Sequence, residues 1–465
     1  MGIPTTVVIR QGFSQIVRNA FAFNGFPPEA PSAYEFPLEM FLPGSDPTPL
    51  IENMDKIVYG LTRWQPKFKG MGTYYSAAKV TVQGKDYQTA VDNMNALFLK
   101  NGWGDGLPIT PATVDRVRWI LTGTDLSPDT LVGTGKILPR TGAATVETLA
   151  VVLAMAGGRP EYMPVLIAIV EALTNPKLGH EYFNCDTNNT VPVVVVNGPI
   201  ANQIRLGSGY GCMGPDAAHP AGAILGRALR LILIDLGGGT PTGAAPGERG
   251  TAVVHGAMRA VNFAFAEDEA GLPPGWDPVS VEKGYPKGDN VVSIQIVSGA
   301  VNIIGVTTST KDLALQTLAK YGAFMAYPSS NYFFDGYNDG SPGIMVMGRL
   351  SAAGIRSSLG WTKNDVKNFV WENAKVPWSV LVKTGTTSLS TTAGTPQGQD
   401  VPITRKPQNF MVVVAGGAGS QHGLWLGPTY GIHGAVTSAE IKLPKNWDAL
   451  LAQAVTDFGP LPAPM

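Results

Sequence analysis

Residues Val191–Gly239 read VPVVVVNGPIANQIRLGSGYGCMGPDAAHPAGAILGRALRLILIDLGGG. The valine run Val191–Val196 is apolar on both faces, the pattern of a strand covered on both sides in a layered α/β protein. It ends at Asn197-Gly198-Pro199, a turn signal. A glycine-rich loop then carries Cys212, one of two cysteines in the chain. His219-Pro220 opens an apolar helix, Pro220–Leu236, that includes Arg227 and Arg230. Strand, glycine loop and helix in succession predict an α/β fold. The passage also gathers a thiol, an imidazole, backbone N–H groups and guanidinium groups.

The same alternation continues outward. Val291–Val297, Ile303–Thr307, Gly343–Met347 and Phe410–Ala415 read as strands, and Val261–Ala266 as a strand that runs into Glu267-Asp268-Glu269. Lys311–Tyr321, Ser351–Leu359 and Thr362–Ala374 read as helices between them. Upstream, Thr145–Ala156 and Pro160–Leu173 form a helix pair. Lys85–Asn101 is amphipathic, and the helix after Gly102–Pro108 is expected to take Thr110 as N-cap with Pro111 at N1. Ile3–Arg10 and Phe13–Phe23 make an opening βα unit. Trp64–Ala78 reads as an aromatic-rich linker or a ligand-covering loop, and Lys383–Lys406 as a loop. No repeat at a fixed period is visible. The expected fold is α/β, with mixed or mostly parallel sheets flanked by helices and several domains: 1–75, 76–290 and 291–465.

The totals exclude several classes. A chain of 465 residues buries a large core, with a prior of two or three domains. Lys and Arg number 34 against 35 Asp and Glu, with no long run of one sign, so no nucleic-acid footprint is present. Only 15% of residues are charged, which suits a homo-oligomer with covered surface. Two cysteines suit a reducing compartment. The most apolar segments, Val146–Ala156 and Pro164–Leu173, are each shorter than the ~20 residues that span a bilayer. No secretory leader is legible. A soluble, cytoplasmic protein that binds no membrane is expected.

Several residues carry candidate chemistry. Gly209-x-Gly211-x-x-Gly214 has dinucleotide-fingerprint spacing, but Pro199–Leu206 separates it from its strand, so a dinucleotide is not expected. The loop instead brings N–H groups and Cys212 toward a ligand, or its glycines serve only positive φ and close packing. A helix N-terminus and Arg227 could activate Cys212, although a lone cysteine is also a common inert core residue. His180, Glu181 and Cys185 lie within one short segment and suit acid–base work or a metal ion, without any standard ligand spacing. Alternatively His180 caps a backbone carbonyl. Glu267 and Glu269, at a strand end, suit a general base or a solvated turn. The strand Met411–Val414 runs into a glycine loop with Ser420 and His422, and His433 follows. Asn197, Gly209, Gly211, Arg227, Ser420 and His433 are candidate substrate-binding residues. Arg227 offers a planar donor fork for an anion, or ties down helix carbonyls or a carboxylate.

Taken together, several blocks resemble one family. They are Gly104-Asp105-Gly106-Leu107-Pro108, the Ala143–Pro164 segment ending GGRPEYMP, Val196-Asn197-Gly198-Pro199-Ile200, Gly226–Leu231, Gly360–Val366 and the Gly416-Gly417 loop. They resemble the large bacterial proteins associated with the UGSC-like domain, a group related to the selenoprotein B component of the glycine, betaine and D-proline reductases. The resemblance covers most of Gly102–Pro444. Gly2 to about Trp64 resembles the second half of the UGSC-like domain, and the Cys- or selenocysteine-Gly-Ser-Cys motif that precedes that half is not in this sequence. The resemblance implies either a separate small subunit that carries it or a lineage that has dropped it. The resemblance implies cleavage of a carbon–heteroatom bond in a small polar molecule, reductive in the related enzymes, with Cys212 or Cys185 as nucleophile or redox partner and His219 or His422 as acid–base group. A thiol-independent hydrolase or lyase using His and Glu or Asp, with or without a metal, is the second reading. A scaffold completing a partner's active site is the third.

Overall fold

The computed structural model describes residues 6–14, 17–18, 32–41, 44–65, 79–184, 189–239, 264–326, 343–385, 387, 395–418, 421–427 and 435–461. The strands are β1 (Val7–Arg10), β2 (Ala33–Phe36), β3 (Leu131–Ile137), β4 (Gly142–Thr145), β5 (Val191–Asn197), β6 (Ala264–Ala266), β7 (Val291–Val297), β8 (Gly299–Ile304), β9 (Ile344–Met347), β10 (Lys375–Val376), β11 (Val401–Pro402), β12 (Met411–Val414), β13 (His422–Gly427) and β14 (Thr437–Glu440). The helices used below are α1 (Tyr87–Asn101), α2 (Val114–Leu121), α3 (Val146–Met155), α4 (Met163–Leu173), α5 (Ala221–Leu231), α6 (Val279–Glu282), α7 (Lys311–Met325), α8 (Arg349–Leu359), α9 (Lys363–Asn373) and α10 (Trp447–Phe458).

Two four-stranded sheets carry the architecture, in the orders β6-β5-β7-β14 and β12-β9-β13-β8. In each, the first two strands are parallel and the next two steps are antiparallel. The fold is therefore α/β with mixed sheets, not mostly parallel ones. Each sheet is completed by a strand that follows a strand of the other sheet in sequence. β8 follows β7 after Ser298 alone but joins the second sheet, while β14 follows β13 and joins the first. The same strand order and directions recur although no fixed sequence period announced a repeat. The expected boundary at 290/291 falls inside one sheet, because β5 pairs with β7 along seven residues.

The side chains explain the layering. The alternation of every strand sends one set inward between the sheets and one set outward. Val191, Val193, Val195 and Phe265 of the first sheet meet Ile344, Val346, Met411, Val413 and Leu426 of the second. The opposite face of the first sheet, with Val194, Val196, Val292, Ile294 and Ile296, packs on α3, α4 and α5. The opposite face of the second, with Ile303, Met345, Met347, Val412, Val414 and Trp425, packs on α7, α8 and α9. The order of layers is helix, sheet, sheet, helix. Both faces of β5 are thus covered, as its unbroken valine run requires. Pro192 is tolerated because it lies at the start of β5, outside the stretch that β6 covers.

Local signals set the helix ends. The Asp86 carboxylate caps α1 by accepting from the Thr89 N–H, and Gly102 closes that helix in the left-handed region. Thr145 and Thr148 form a reciprocal capping box on α3, and Thr362 and Asp365 form one on α9. The helix expected to start at Thr110 starts at Val114, because Thr113 provides the cap by accepting from the Arg116 N–H. The strand expected at Ile303–Thr307 is β8, which ends at Ile304. The opening βα unit contributes β1, paired in parallel with β2. Most of Trp64–Ala78 lies outside the described residues. No helix among the described residues is long and apolar enough to cross a membrane.

The interface between the sheets is sensitive to loss of volume. Phe265 is fully buried there. Phe265→Ala is expected to cost about 3–5 kcal/mol of unfolding free energy by cavity formation. Val455→Ala, on the exposed side of α10, is expected to change it by less than about 0.5 kcal/mol. Denaturant midpoints of the two variants check both values.

Candidate functional site at the strand ends

The carboxyl ends of β5, β6, β9 and β12 meet at one end of the sandwich. Backbone bonds join them. The Glu267 N–H donates to the Val196 carbonyl at 3.1 Å, the Asp268 N–H to Val414 at 2.8 Å, and the Ala415 N–H to Met347 at 2.9 Å. The loop after β5 is laced into the same seam. The Ala266 N–H donates to Gly207 and the Gly416 N–H to Ser208, each at 2.9 Å. Strand ends of parallel pairs are where open α/β sheets hold ligands.

The acidic triplet after β6 splits into three roles. The Glu267 side chain is completely buried; its Oε1 accepts from Lys363 Nζ at 2.8 Å, and its Oε2 accepts from Asn197 Nδ2 at 2.8 Å and the Val279 N–H at 2.7 Å. Asp268 is buried against Arg349, whose Nε donates to Oδ2 at 2.7 Å, and it caps the following turn through the Gly271 N–H. Glu269 is half-buried. Its Oε1 accepts from the Gly198 N–H at 2.6 Å and from Asn197 Nδ2 at 3.0 Å. Its Oε2 accepts nothing among the described residues. Asn197 turns its amide donors to both glutamates, so its Oδ1 is left buried and unpartnered. Gly198 has φ +93°, and a side chain there would strike the Asp289 carbonyl, so the turn that aims its N–H at Glu269 needs glycine.

Cys212 lies across from this triplet. It packs at the margin of the core between the sheets, beside Met213. Burial pushes its thiol up to about 11, and nearby Asp268 adds to this. Its own N–H and those of Gly416 and Met213 favour the thiolate but do not prevail. The thiol is thus protonated at neutral pH. Gly417, with φ +82°, packs directly on the Tyr210 ring, and any side chain there would collide with it. That contact closes the glycine loop after β12 onto the Gly207–Gly214 loop. The latter folds as successive turns, with the Cys212 N–H donating to Gly209 and the Gly214 N–H to Gly211. It does not open a helix, and α5 begins only at Ala221.

The other expected residues distribute as follows. His219 Nδ1 meets Asp216 Oδ2 at 2.5 Å, and that bond holds the Asp216 carboxyl below the usual range. His219 also stands near Cys212, since Cβ atoms of both lie within 3.7 Å of the point a Gly207 Cβ would occupy. His422 is exposed at the first residue of β13, at the same end of the second sheet as the seam. His180 is elsewhere and buried. It accepts from the Leu138 N–H through Nε2 at 3.1 Å and also bonds the Lys136 backbone, in line with the backbone-capping reading. Arg227 makes a two-pronged pair with Asp105 at 2.9 and 3.0 Å and bonds the carbonyls of Leu107 and Pro108. Burial opposes ionisation of Asp105, but Arg227 outweighs it and keeps the carboxyl below the usual range. The guanidinium anchors the Gly104–Pro108 turn to α5. Cys185, Ser420 and His433 lie outside the described residues, as does the side chain of Glu181. Among the described residues, no three His, Cys, Asp or Glu side chains converge as a metal site.

Asp268, Arg349 and Lys363 join the site without having been singled out. Asp268 sits inside the acidic triplet. Lys363 belongs to the Gly360–Val366 block. Arg349 follows β9 as Pro199 follows β5, a correspondence visible once the two sheets are superposed by strand order. No family model matches this sequence, and no curated protein or solved structure matches it either.

Two outcomes follow. Lys363→Met strands the buried Glu267 carboxylate and is expected to cost about 3–5 kcal/mol, whereas the double change Glu267→Gln/Lys363→Met is expected to recover part of that loss. Chemical denaturation of both variants measures it. Burial holds His180 at about 4, below its ordinary 6.5, so the fold favours the neutral ring. That stabilisation is complete above pH 6.5 and is lost as pH falls through 4. The stability gap between the wild type and His180→Gln should therefore narrow on going from pH 7 to 4, by at most about 3 kcal/mol. A constant gap would show that the ring does not titrate.

Proposed function

We propose that this chain is the subunit of an enzyme that cleaves a carbon–heteroatom bond in a small polar molecule at the strand-end site. One observation supports this above the others. Beside two matched ion pairs, Glu267–Lys363 and Asp268–Arg349, two acceptors remain open: Glu269 Oε2 and the buried Asn197 Oδ1. A buried open acceptor is costly unless a donor fills it. An N–H or O–H group of a substrate supplies that donor. With both cationic side chains matched, Glu269 also leaves the cluster one negative charge in excess, which suits an ammonium-bearing substrate.

In this reading Glu269 is the general base. Its Oε1 is fixed by Gly198 and Asn197, which leaves Oε2 aimed for proton removal. Glu267 and Lys363 position Asn197. The protonated Cys212 lines the site, so the second of the readings drawn from the sequence, a hydrolase or lyase that needs no thiolate, is favoured over thiol-dependent reduction. The family resemblance supplies the carbon–heteroatom bond as reaction centre. The resemblance also supplies the further proposal of a small subunit carrying the Cys- or selenocysteine-Gly-Ser-Cys loop, while the low share of charged residues supports a homo-oligomer and the two cysteines a cytoplasmic setting. A metal ion and the substrate's identity belong to the same experiments.

The test follows turnover of a panel of small amino acids, their N-methylated derivatives and 2-hydroxy acids by NMR. Glu269→Gln is expected to lower kcat by about 10²–10⁴-fold on whichever compound reacts. The Cys185→Ser/Cys212→Ser double variant is expected to keep most of the activity. The reverse pattern, with the cysteine variant dead and Glu269→Gln active, restores the thiol mechanism and removes this one.

A further inference from the structure

We infer that the C-terminal segment Phe458–Pro460 is a strap that positions the Gly207–Gly214 loop of the strand-end site, acting through Arg205. The short helix Ile200–Gln203, which follows β5, ends in a Schellman turn. The Leu206 N–H donates to the Ala201 carbonyl at 2.8 Å and the Arg205 N–H to the Asn202 carbonyl at 3.1 Å. Arg205 fills the left-handed position of that turn, with φ +60°. Glycine is the ordinary occupant of such a position, and a long side chain there strains the backbone. Two residues further on, the chain enters the seam. The Gly207 carbonyl accepts from the Ala266 N–H and the Ser208 carbonyl from the Gly416 N–H. The direction in which the loop carrying Cys212 sets out is therefore fixed at Arg205.

The strap comes from 254 positions away in sequence. Gly459 ends α10 with φ +81° and ψ −173°, a conformation essentially confined to glycine, and its N–H donates to the Val455 carbonyl at 2.8 Å. That bend turns the Gly459 and Pro460 carbonyls onto Arg205 Nη2, the second at 3.1 Å. The Phe458 ring has two guanidinium groups against it, Arg159 at 4.5 Å and Arg205 at 5.4 Å from its centre. Arg159 is itself fixed by Glu161 at 2.6 Å and Asp457 at 2.7 Å. A further bond, from Trp447 Nε1 to Gln203 Oε1 at 3.1 Å, ties α10 to the short helix just before Arg205. Arg205 is 8% exposed, so its charge needs the acceptors that the strap supplies. Glycine at 205 would make the turn without strain. Arginine makes it at a cost that the strap's contacts with its side chain offset.

The strap acts on the geometry of the site and not on the reaction proposed there, so amide exchange rather than turnover decides it. Hydrogen exchange of the full chain is followed by peptide mass spectrometry. A side chain added at Gly459 would meet no atom within 4 Å, so Gly459→Ala disturbs only the backbone bend of the strap. It is expected to speed exchange in the Gly207–Gly214 loop, where the Cys212 and Gly214 N–H groups are bonded, by at least about tenfold, with β5 unchanged. Arg205→Lys keeps the charge but loses the planar guanidinium, and is expected to do the same. Arg205→Gly makes the turn without strain, and in that background Gly459→Ala is expected to have no further effect. Unchanged exchange of the loop in Gly459→Ala overturns the proposal. So does an equal rise in β5, which marks general destabilisation, and so does a Gly459→Ala effect that persists in the Arg205→Gly background. Should the Arg205→Gly chain fail to fold, the Gly459→Ala comparison decides alone.

Discussion

The completely buried carboxylate of Glu267 is the constraint on which the rest of this molecule turns. It collects a donor from β5 through Asn197, one from α6 through the Val279 N–H, and one from α9 through Lys363. β5 belongs to the first sheet and α9 to the helices on the second, while α6 packs its Val279 into the core between the sheets. A buried charge tolerates little displacement of its partners, because each lost donor leaves desolvation uncompensated. The geometry at the seam is therefore a consequence of satisfying one anion. Asn197 is held with its amide toward the glutamates, its oxygen is left open, and Glu269 is steadied on the N–H that Gly198 presents.

Around that anchor the charges are sorted by depth. The deepest carboxylates, Glu267 and Asp268, have cationic partners, and the half-buried Glu269 has only neutral donors. In the proposed reading, the two paired carboxylates hold the structure and Glu269 is the group left to act on a substrate. Cys212 fits the same logic from the opposite side. It is close enough to Asp268 to feel its charge and too buried to ionise readily. In the proposed reading, the protonated thiol of Cys212 lines the site and does not act as its nucleophile.

Much of the fold was legible because it rests on local periodicity. The double-faced valine run of β5 announced a covered strand, and the spacing of α4, α7 and α9 announced helices. The end of β6 marked the acidic triplet. What was not legible is pairing at a distance. Arg227 carries the right group for substrate binding, and only the fold shows that Asp105 already holds it, 122 residues away. His180 likewise reads as acid–base chemistry until the Lys136–Leu138 backbone is found against its ring. The exchanged strands were hidden for a related reason. Three- and four-residue strands such as β6, β9 and β14 state that they are extended, and a sequence of that length does not state which sheet they extend.

The exchange of strands also orders events in time. The first sheet takes its last strand from Thr437–Glu440, where Ser438 meets Ser293 across 145 positions of sequence. During synthesis, β5, β6 and β7 emerge with the partner of β7 still unmade, while β8, the strand next to β7 in the chain, is destined for the other sheet. The nascent chain therefore carries an uncovered edge through the translation of about a third of its length, and that edge can pair with a neighbouring copy. Slow ribosomes or crowded polysomes lengthen that exposure. The strand that finishes the first sheet is thus the last of its four to be made.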